Sequence, residues 1–273
     1  MTPLVPPKDA LLPPPPAGVE WLEIGLGASG DRVFRRSDGA AFAKLSGPGR
    51  AAGLQAERDR TQWLAPHNIG GPGVLDWILS DGHACLVTST VEGVPASELS
   101  PTDLLKAWPS LVRQLKRLHG LKAGDCPFER GLAESFAQAR DVVSRGAVNP
   151  DFLAPQYHDV PPNVLLEALE AELPQRLSEE AGDLVVCHGD ACLPNFLVDP
   201  DTLHCTGLID LGRLGRADRY ADLSLLSGNA REHWASPKDE HRAQIQLFDM
   251  LGIDAPDMRK LAFYLALDPL TWG

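Results

Sequence analysis

One segment constrains this chain more than any other. A short apolar run, Leu184-Val185-Val186-Cys187, leads into His188-Gly189-Asp190, and Asn195 follows after four further residues. Fifteen positions on, a second apolar run ends at Asp210 in Ile209-Asp210-Leu211-Gly212. Runs this short and apolar read as buried strands, which set polar groups down at their ends. An acid, an amide and a second acid in that order suit phosphoryl transfer: one carboxylate takes the proton of an attacking hydroxyl, and the amide oxygen and the other carboxylate hold Mg²⁺. Asp190 is accordingly the candidate base or hydroxyl-orienting residue. Asp210 is the most direct metal ligand, with Asn195 as its companion. His188 is expected to be a structural hydrogen-bonding residue. Arg213 is placed either to neutralise phosphate charge or to pair with a neighbouring carboxylate.

The N-terminal part supplies what such a site still needs, a grip on nucleotide phosphates. Val19 to Lys44 reads as short strands separated by turns, with a hairpin signal at Ser37-Asp38-Gly39. Gly25-Leu26-Gly27-Ala28-Ser29-Gly30 contains G-x-G-x-x-G. A strand follows it instead of a helix, so it does not fit a dinucleotide-binding fingerprint; no Gly-Lys-Ser/Thr follows, so it is not a P-loop. Its backbone N–H groups and Ser29 are positioned to lie over phosphates. Lys44, on a strand with alternating faces, is the natural phosphate ligand of ATP. Glu57, thirteen positions later on a helix expected over 54–64, would hold its ammonium.

These elements give an α+β class with two lobes. Residues 1–18 form a Pro-rich leader, with prolines at 3, 6, 7 and 13–16, and lack the pattern of a signal peptide or membrane span. Residues 19–91 make an N-terminal antiparallel sheet with one helix. The pattern breaks at Glu92-Gly93-Val94-Pro95, and a mainly helical C-terminal lobe follows over 92–273, whose helices are read over 104–119, 165–177 and from 242 onward. Asn195 to Val198 and Thr206 to Ile209 are expected to pair as a hairpin around Asp199-Pro200-Asp201. The net charge of −12 repels nucleic acid and anionic membranes and favours a cationic partner. Five cysteines without a C-x-x-C pair fit a reducing cytoplasm, and Cys187 and Cys192 are read as small packing residues.

Val185 through Asn195, Gly207 to Arg213 and Ala217 to Leu223 resemble the aminoglycoside phosphotransferase family. Within it, Asp103 to Ser110, Cys126 to Arg130, Asp141 to Arg145 and the ending Leu267 to Gly273 resemble members that act on the 3″-hydroxyl of streptomycin. The resemblance spans the chain from the glycine turn onward. It implies a protein-kinase-like two-lobed fold, ATP and Mg²⁺ as cofactors, and Lys44 with Glu57 as the phosphate clamp. It also implies a hinge at Ser89 to Val91 that holds adenine, Phe42 packed on the base, and Ile209 in the nucleotide set. Glu232, Asp268 and the carboxylate of Gly273 match positions that contact substrate, beside Asp190 and Arg213. His233 stands where relatives acting on other aminoglycosides carry an acid.

The implied substrate, a streptomycin-like cationic aminoglycoside, carries two guanidinium groups, which suit fork-shaped pairing with carboxylates. A monomer is favoured. Other readings stay open at this point: a kinase of another aminoglycoside, of choline or of an amino sugar on the same fold, or a nucleotide-binding module without turnover. Asp218 and Asp222 are expected to brace the metal loop and the helix after it.

Overall fold

A computed structural model describes residues 11–26 and 30–273. The first ten residues of the leader, and Ser29 with Gly27 and Ala28 of the glycine turn, lie outside the described residues. By contact the chain divides into two units, Met1–Glu92 with Thr206–Gly212, and Gly93–Cys205 with Arg213–Gly273.

In the first unit, β1 (Trp21–Leu26), β2 (Arg32–Arg36) and β3 (Ala41–Ser46) precede α1 (Ala51–Leu64), and β4 (Val74–Ser80) and β5 (His83–Ser89) follow it. They form one antiparallel sheet in the order β1-β2-β3-β5-β4. Period-two alternation decides its faces. Ala41, Ala43 and Leu45 of β3 are buried with Phe34, Cys85 and Val87, which leaves Phe42 and Lys44 together on the opposite face. The α1 helix buries Leu54, Thr61 and Leu64, and Leu54 packs on Ala84 and Leu86. Trp63 on the same helix is half-buried and lies against His67 with ring centroids 4.4 Å apart.

Thr206–Gly212 belongs by contact to this unit, although the sequence division puts it in the C-terminal lobe. The reason is local. Leu208 N–H donates to the Gly70 carbonyl at 3.2 Å, and Gly207 sits against Val91 and the Gly70-Gly71 backbone with no room for a side chain.

The second unit opens at Gly93, whose φ of +125° is open to glycine and whose hydrogen faces the Val198 backbone, where a Cβ would come within 2.7 Å of the carbonyl oxygen. Next come β6 (Val94–Pro95), which pairs with β8 (Phe196–Val198), and α2 (Pro101–His119). Ser100 caps α2 by accepting from Asp103 N–H at 3.1 Å, with Pro101 in the first turn. Its buried stripe runs Leu104, Ala107, Trp108, Leu111, Val112, Leu115, Leu118.

The α3 (Leu132–Ser144) and α4 (Pro162–Glu180) helices follow. Then β7 (Leu184–Cys187) pairs antiparallel with β10 (Gly215–Asp218), with Cys187 opposite Gly215, and β9 (Cys205–Leu208) lies between them in the chain. The α5 (Tyr220–Ala230), α6 (Pro237–Leu251) and α7 (Met258–Leu267) helices complete the unit. All five cysteines are free thiols. No described helix is long and apolar enough to cross a membrane.

Candidate active site

In the first unit, β3 presents the Lys44 ammonium 2.7 Å from Glu57 Oε1 on α1 and 3.0 Å from Asp210 Oδ1. Burial alone would push the Lys44 pKa down. The two carboxylates outweigh it and hold the ammonium charged, above the ordinary lysine value. Burial raises Glu57 above the usual carboxylate range, and Lys44 counters only part of that because Asp210 adds like charge. One ammonium thus serves two carboxylates. Asp210 sits at φ +60°, a left-handed conformation uncommon for a residue other than glycine, and its side chain is half exposed. Phe42 shares the Lys44 face of β3, and Ile209 directly precedes Asp210.

Ser89 to Val91, expected from the resemblance to form a hinge, differ in what they leave open. Ser89 N–H donates to the Gly73 carbonyl at 2.8 Å, and its Oγ accepts from Gly73 N–H at 2.8 Å. Thr90 N–H donates to Ala40 at 3.2 Å. Val91 N–H takes no hydrogen bond among the described residues, so it is the open backbone donor of the pair named from sequence.

In the second unit, the end of β7 delivers a tightly fixed loop. Gly189 at φ +78° sits against the Arg213 backbone, where a Cβ would collide with the carbonyl. Asp222 is fully buried and braces the loop: His188 N–H donates to its Oδ2 at 2.8 Å, Gly189 N–H donates to its Oδ1 at 2.9 Å, and His119 Nε2 lies 2.9 Å from Oδ2. Burial would raise the Asp222 pKa; the hydrogen bonds and charge of His119, with His188 and Gly189, bring it below the ordinary value. His119, Cys187 and Asp222 cluster with their ligand atoms within 4.8 Å, yet the Asp222 oxygens are already occupied by these three donors. His188 is buried and its Nδ1 accepts from Asp190 N–H at 3.2 Å, the structural role expected of it.

Asp190 and Asn195 are brought together. Asn195 Nδ2 donates to Asp190 Oδ2 at 3.0 Å and to its carbonyl at 2.8 Å. This fixes the carboxylate rotamer without cancelling its charge. It also orients the amide, leaving Asn195 Oδ1 without a hydrogen bond among the described residues. An open amide oxygen here, and the Asp210 carboxylate, are the donor chemistry that a hard cation such as Mg²⁺ takes.

Arg213 pairs with a carboxylate, one of its two expected roles: its Nη1 lies 3.2 Å from Asp268 Oδ1. Burial raises the Asp268 pKa, Arg213 lowers it and Asp190 raises it further, with the net direction upward. Gly273 is exposed at the chain end, its carbonyl 3.5 Å from Arg145 Nη2. Glu232 is exposed on the turn after α5 and makes no hydrogen bond among the described residues. The grouping of site residues is therefore Lys44, Glu57 and Asp210 in one cluster, Asp190 and Asn195 in a second, and Arg213 and Asp268 in a third.

Sequence reasoning missed His119, Trp272 and Thr271. His119 touches Asp222 across 103 positions, and a histidine in the last turn of a helix carries no signal of such a partner. Trp272 and Thr271 read only as the end of a motif.

The phosphotransferase enzyme family matches residues 20–264. The streptomycin 3''-kinase of Streptomyces griseus is 50% identical over 94% of this chain and 94% of its own length. An aminoglycoside 3'-phosphotransferase of Streptomyces fradiae is 36% identical over 91% of this chain and 94% of its own length. Among solved structures, the aminoglycoside phosphotransferase APH(3'')-Id of Streptomyces rimosus, in complex with ADP and streptomycin, is 49% identical with a TM-score of 0.88 over 93% of each chain. A choline/ethanolamine kinase family protein of Mesorhizobium loti shares the fold at 20% identity and a TM-score of 0.59, over 93% of this chain and 77% of its own.

Proposed function

Because the chain belongs to the phosphotransferase enzyme family, and within it to the aminoglycoside phosphotransferases, we propose that it transfers the γ-phosphoryl group of ATP to the 3″-hydroxyl of streptomycin and so inactivates the antibiotic. The Asp190–Asn195 pair carries this reading, since a carboxylate held in one rotamer suits the attacking hydroxyl and the amide oxygen beside it suits Mg²⁺.

The roles follow from the groups present. Lys44, braced by Glu57, grips phosphate oxygens, and Val91 N–H is the donor for adenine, with Phe42 and Ile209 as apolar neighbours of the base. Ser29, with the backbone of the glycine turn, is assigned to the phosphates. Asp210 and Asn195 are the oxygen donors assigned to Mg²⁺, which neutralises phosphate charge when bound. Asp190 orients the 3″-hydroxyl and accepts its proton as the oxygen bonds to phosphorus. The proton goes to Asp190 Oδ and the leaving group is ADP. Asp268 and Glu232, with Gly273 beside them in the assigned set, take the cationic groups of the antibiotic. The need for ATP, with the free thiols, supports a cytoplasmic setting.

An ADP-release assay with ATP, Mg²⁺ and a panel of streptomycin, kanamycin and choline tests the reading. The expected result is turnover of streptomycin, with kcat/KM roughly a hundredfold above kanamycin and no turnover of choline. Turnover of choline or kanamycin with streptomycin inert would reject it.

A further inference from the structure

The last six residues are tied to one another and to the rest of their unit by a set of contacts that packing alone does not require. Trp272 Nε1–H donates to Asp268 Oδ2 at 3.0 Å. The face of the same indole carries the Arg213 guanidinium, whose carbon lies 4.1 Å from the ring centroid. Arg213 Nη1 reaches the other Asp268 oxygen at 3.2 Å, and its Nη2 donates to Thr271 Oγ1. Thr271 Oγ1 in turn donates to the Asp268 carbonyl at 2.7 Å. The segment is held from outside by Gln138 Nε2, 2.8 Å from the Thr271 carbonyl, and by Phe152, edge-on to Trp272 at 6.2 Å and 76°. The Asp268 side chain keeps 18% exposure.

Arginine and a carboxylate left to themselves close a two-bond fork. Here the fork is split. One guanidinium nitrogen is on Asp268 and the other on Thr271, while the indole N–H holds Asp268 Oδ2 apart from Arg213. A monodentate pair leaves the Asp268 carboxylate with unfilled acceptor positions; a bidentate pair would fill them. A phenyl ring would pack as well as an indole against Phe152 and Arg213, but it has no N–H with which to hold the carboxylate.

We propose that Trp272 is a positioning residue for the antibiotic: through its N–H and ring face it keeps Asp268 and Arg213 in a split pair, so that Asp268 stays open to a protonated guanidinium of the substrate. This rests on the reading that Asp268 faces streptomycin. It assigns Trp272 no contact with the reacting atoms.

The test is a double-mutant cycle on the full chain with Trp272→Phe and Asp268→Asn. Trp272→Phe is expected to raise the KM for streptomycin about tenfold, the scale of one hydrogen bond to a charged group, with the KM for ATP and kcat within about twofold. In the Asp268→Asn background the same change is expected to cost nothing further, because its effect passes through that carboxylate. An unchanged streptomycin KM, an equal rise in the KM for ATP, or an undiminished effect in the Asp268→Asn background would overturn the proposal.

A measurement on the unaltered protein covers the case in which Trp272→Phe folds poorly. The Trp272 indole ¹H–¹⁵N resonance is expected to shift on adding streptomycin and not on adding kanamycin at the same concentration; an unmoved resonance overturns the proposal equally. Absence of streptomycin turnover in the unaltered protein would instead reject the proposed function, so the two failures are distinguishable.

Discussion

Asp190→Ala is expected to lower kcat for streptomycin phosphorylation by about 10²–10⁴, with the affinity for ATP unchanged and the melting temperature within a few degrees of the parent. The backbone of the loop is held by contacts that do not involve the Asp190 side chain: Asp222 receives the N–H groups of His188 and Gly189, and Leu193 N–H donates to Asn229 Oδ1 at 2.8 Å. Asn195 loses one of its two bonds to Asp190 and keeps the one to the carbonyl. Removing the carboxylate therefore deletes the proton acceptor and leaves its scaffold in place. Steady-state kinetics with ATP and streptomycin, together with an ADP titration, read the two quantities separately. Activity within tenfold of the parent would remove Asp190 from the chemistry.

Asp222→Ala is expected to behave in the opposite way, losing stability and activity together. The side chain is fully buried and meets three donors, two of them the backbone N–H groups that lead into Asp190. Its removal leaves those groups unpaired in a site that water does not reach, at a cost of about 1–3 kcal/mol for each neutral donor. Relaxation of the loop reduces the sum to about 3–5 kcal/mol, the scale found when one member of a buried charged network is removed. For a chain of this size that is a fall of about 10 °C in Tm or more. Thermal unfolding followed by circular dichroism checks it. A Tm within about 2 °C of the parent would show that the loop is held by something other than Asp222.

These two carboxylates also mark what a sequence makes legible and what it hides. Asp190 and Asn195 are five positions apart, and the geometry that joins them is a short loop closed by local hydrogen bonds, so spacing alone carries it. The strands of the first unit were readable for a similar reason: Ala41, Ala43 and Leu45 alternate with Phe42 and Lys44, and period two is a local property. The Lys44–Glu57 contact was within reach because strand and helix are neighbours in the chain.

The bracing role of Asp222 is legible in the sequence, but its partner His119 is not, since nothing near residue 119 encodes a contact 103 positions away. The α5 helix shows another limit. It buries Tyr220, Leu223, Ser224, Leu225 and Leu226 on nearly every side, so no amphipathic period marks it. The α3 helix is a plainer omission, because Leu132, Phe136, Ala139 and Val142 lie on one face at helical spacing. Thr206–Gly212 was assigned by chain order to the C-terminal lobe; its contacts with Gly70 and Lys44 assign it to the first unit, and only the folded chain shows those contacts. The role of Trp272 was hidden for a different reason. An indole four residues from an aspartate reads as packing until the direction of its N–H is known.

The most direct test of the account is the structure of the product. Incubation of the unaltered protein with streptomycin, ATP and Mg²⁺, followed by ³¹P and ¹H NMR of the modified antibiotic, is expected to show one phosphomonoester whose phosphorus couples to the proton on carbon 3″. A phosphorus coupled to any other sugar carbon, or ATP consumed with streptomycin recovered unmodified, would contradict it.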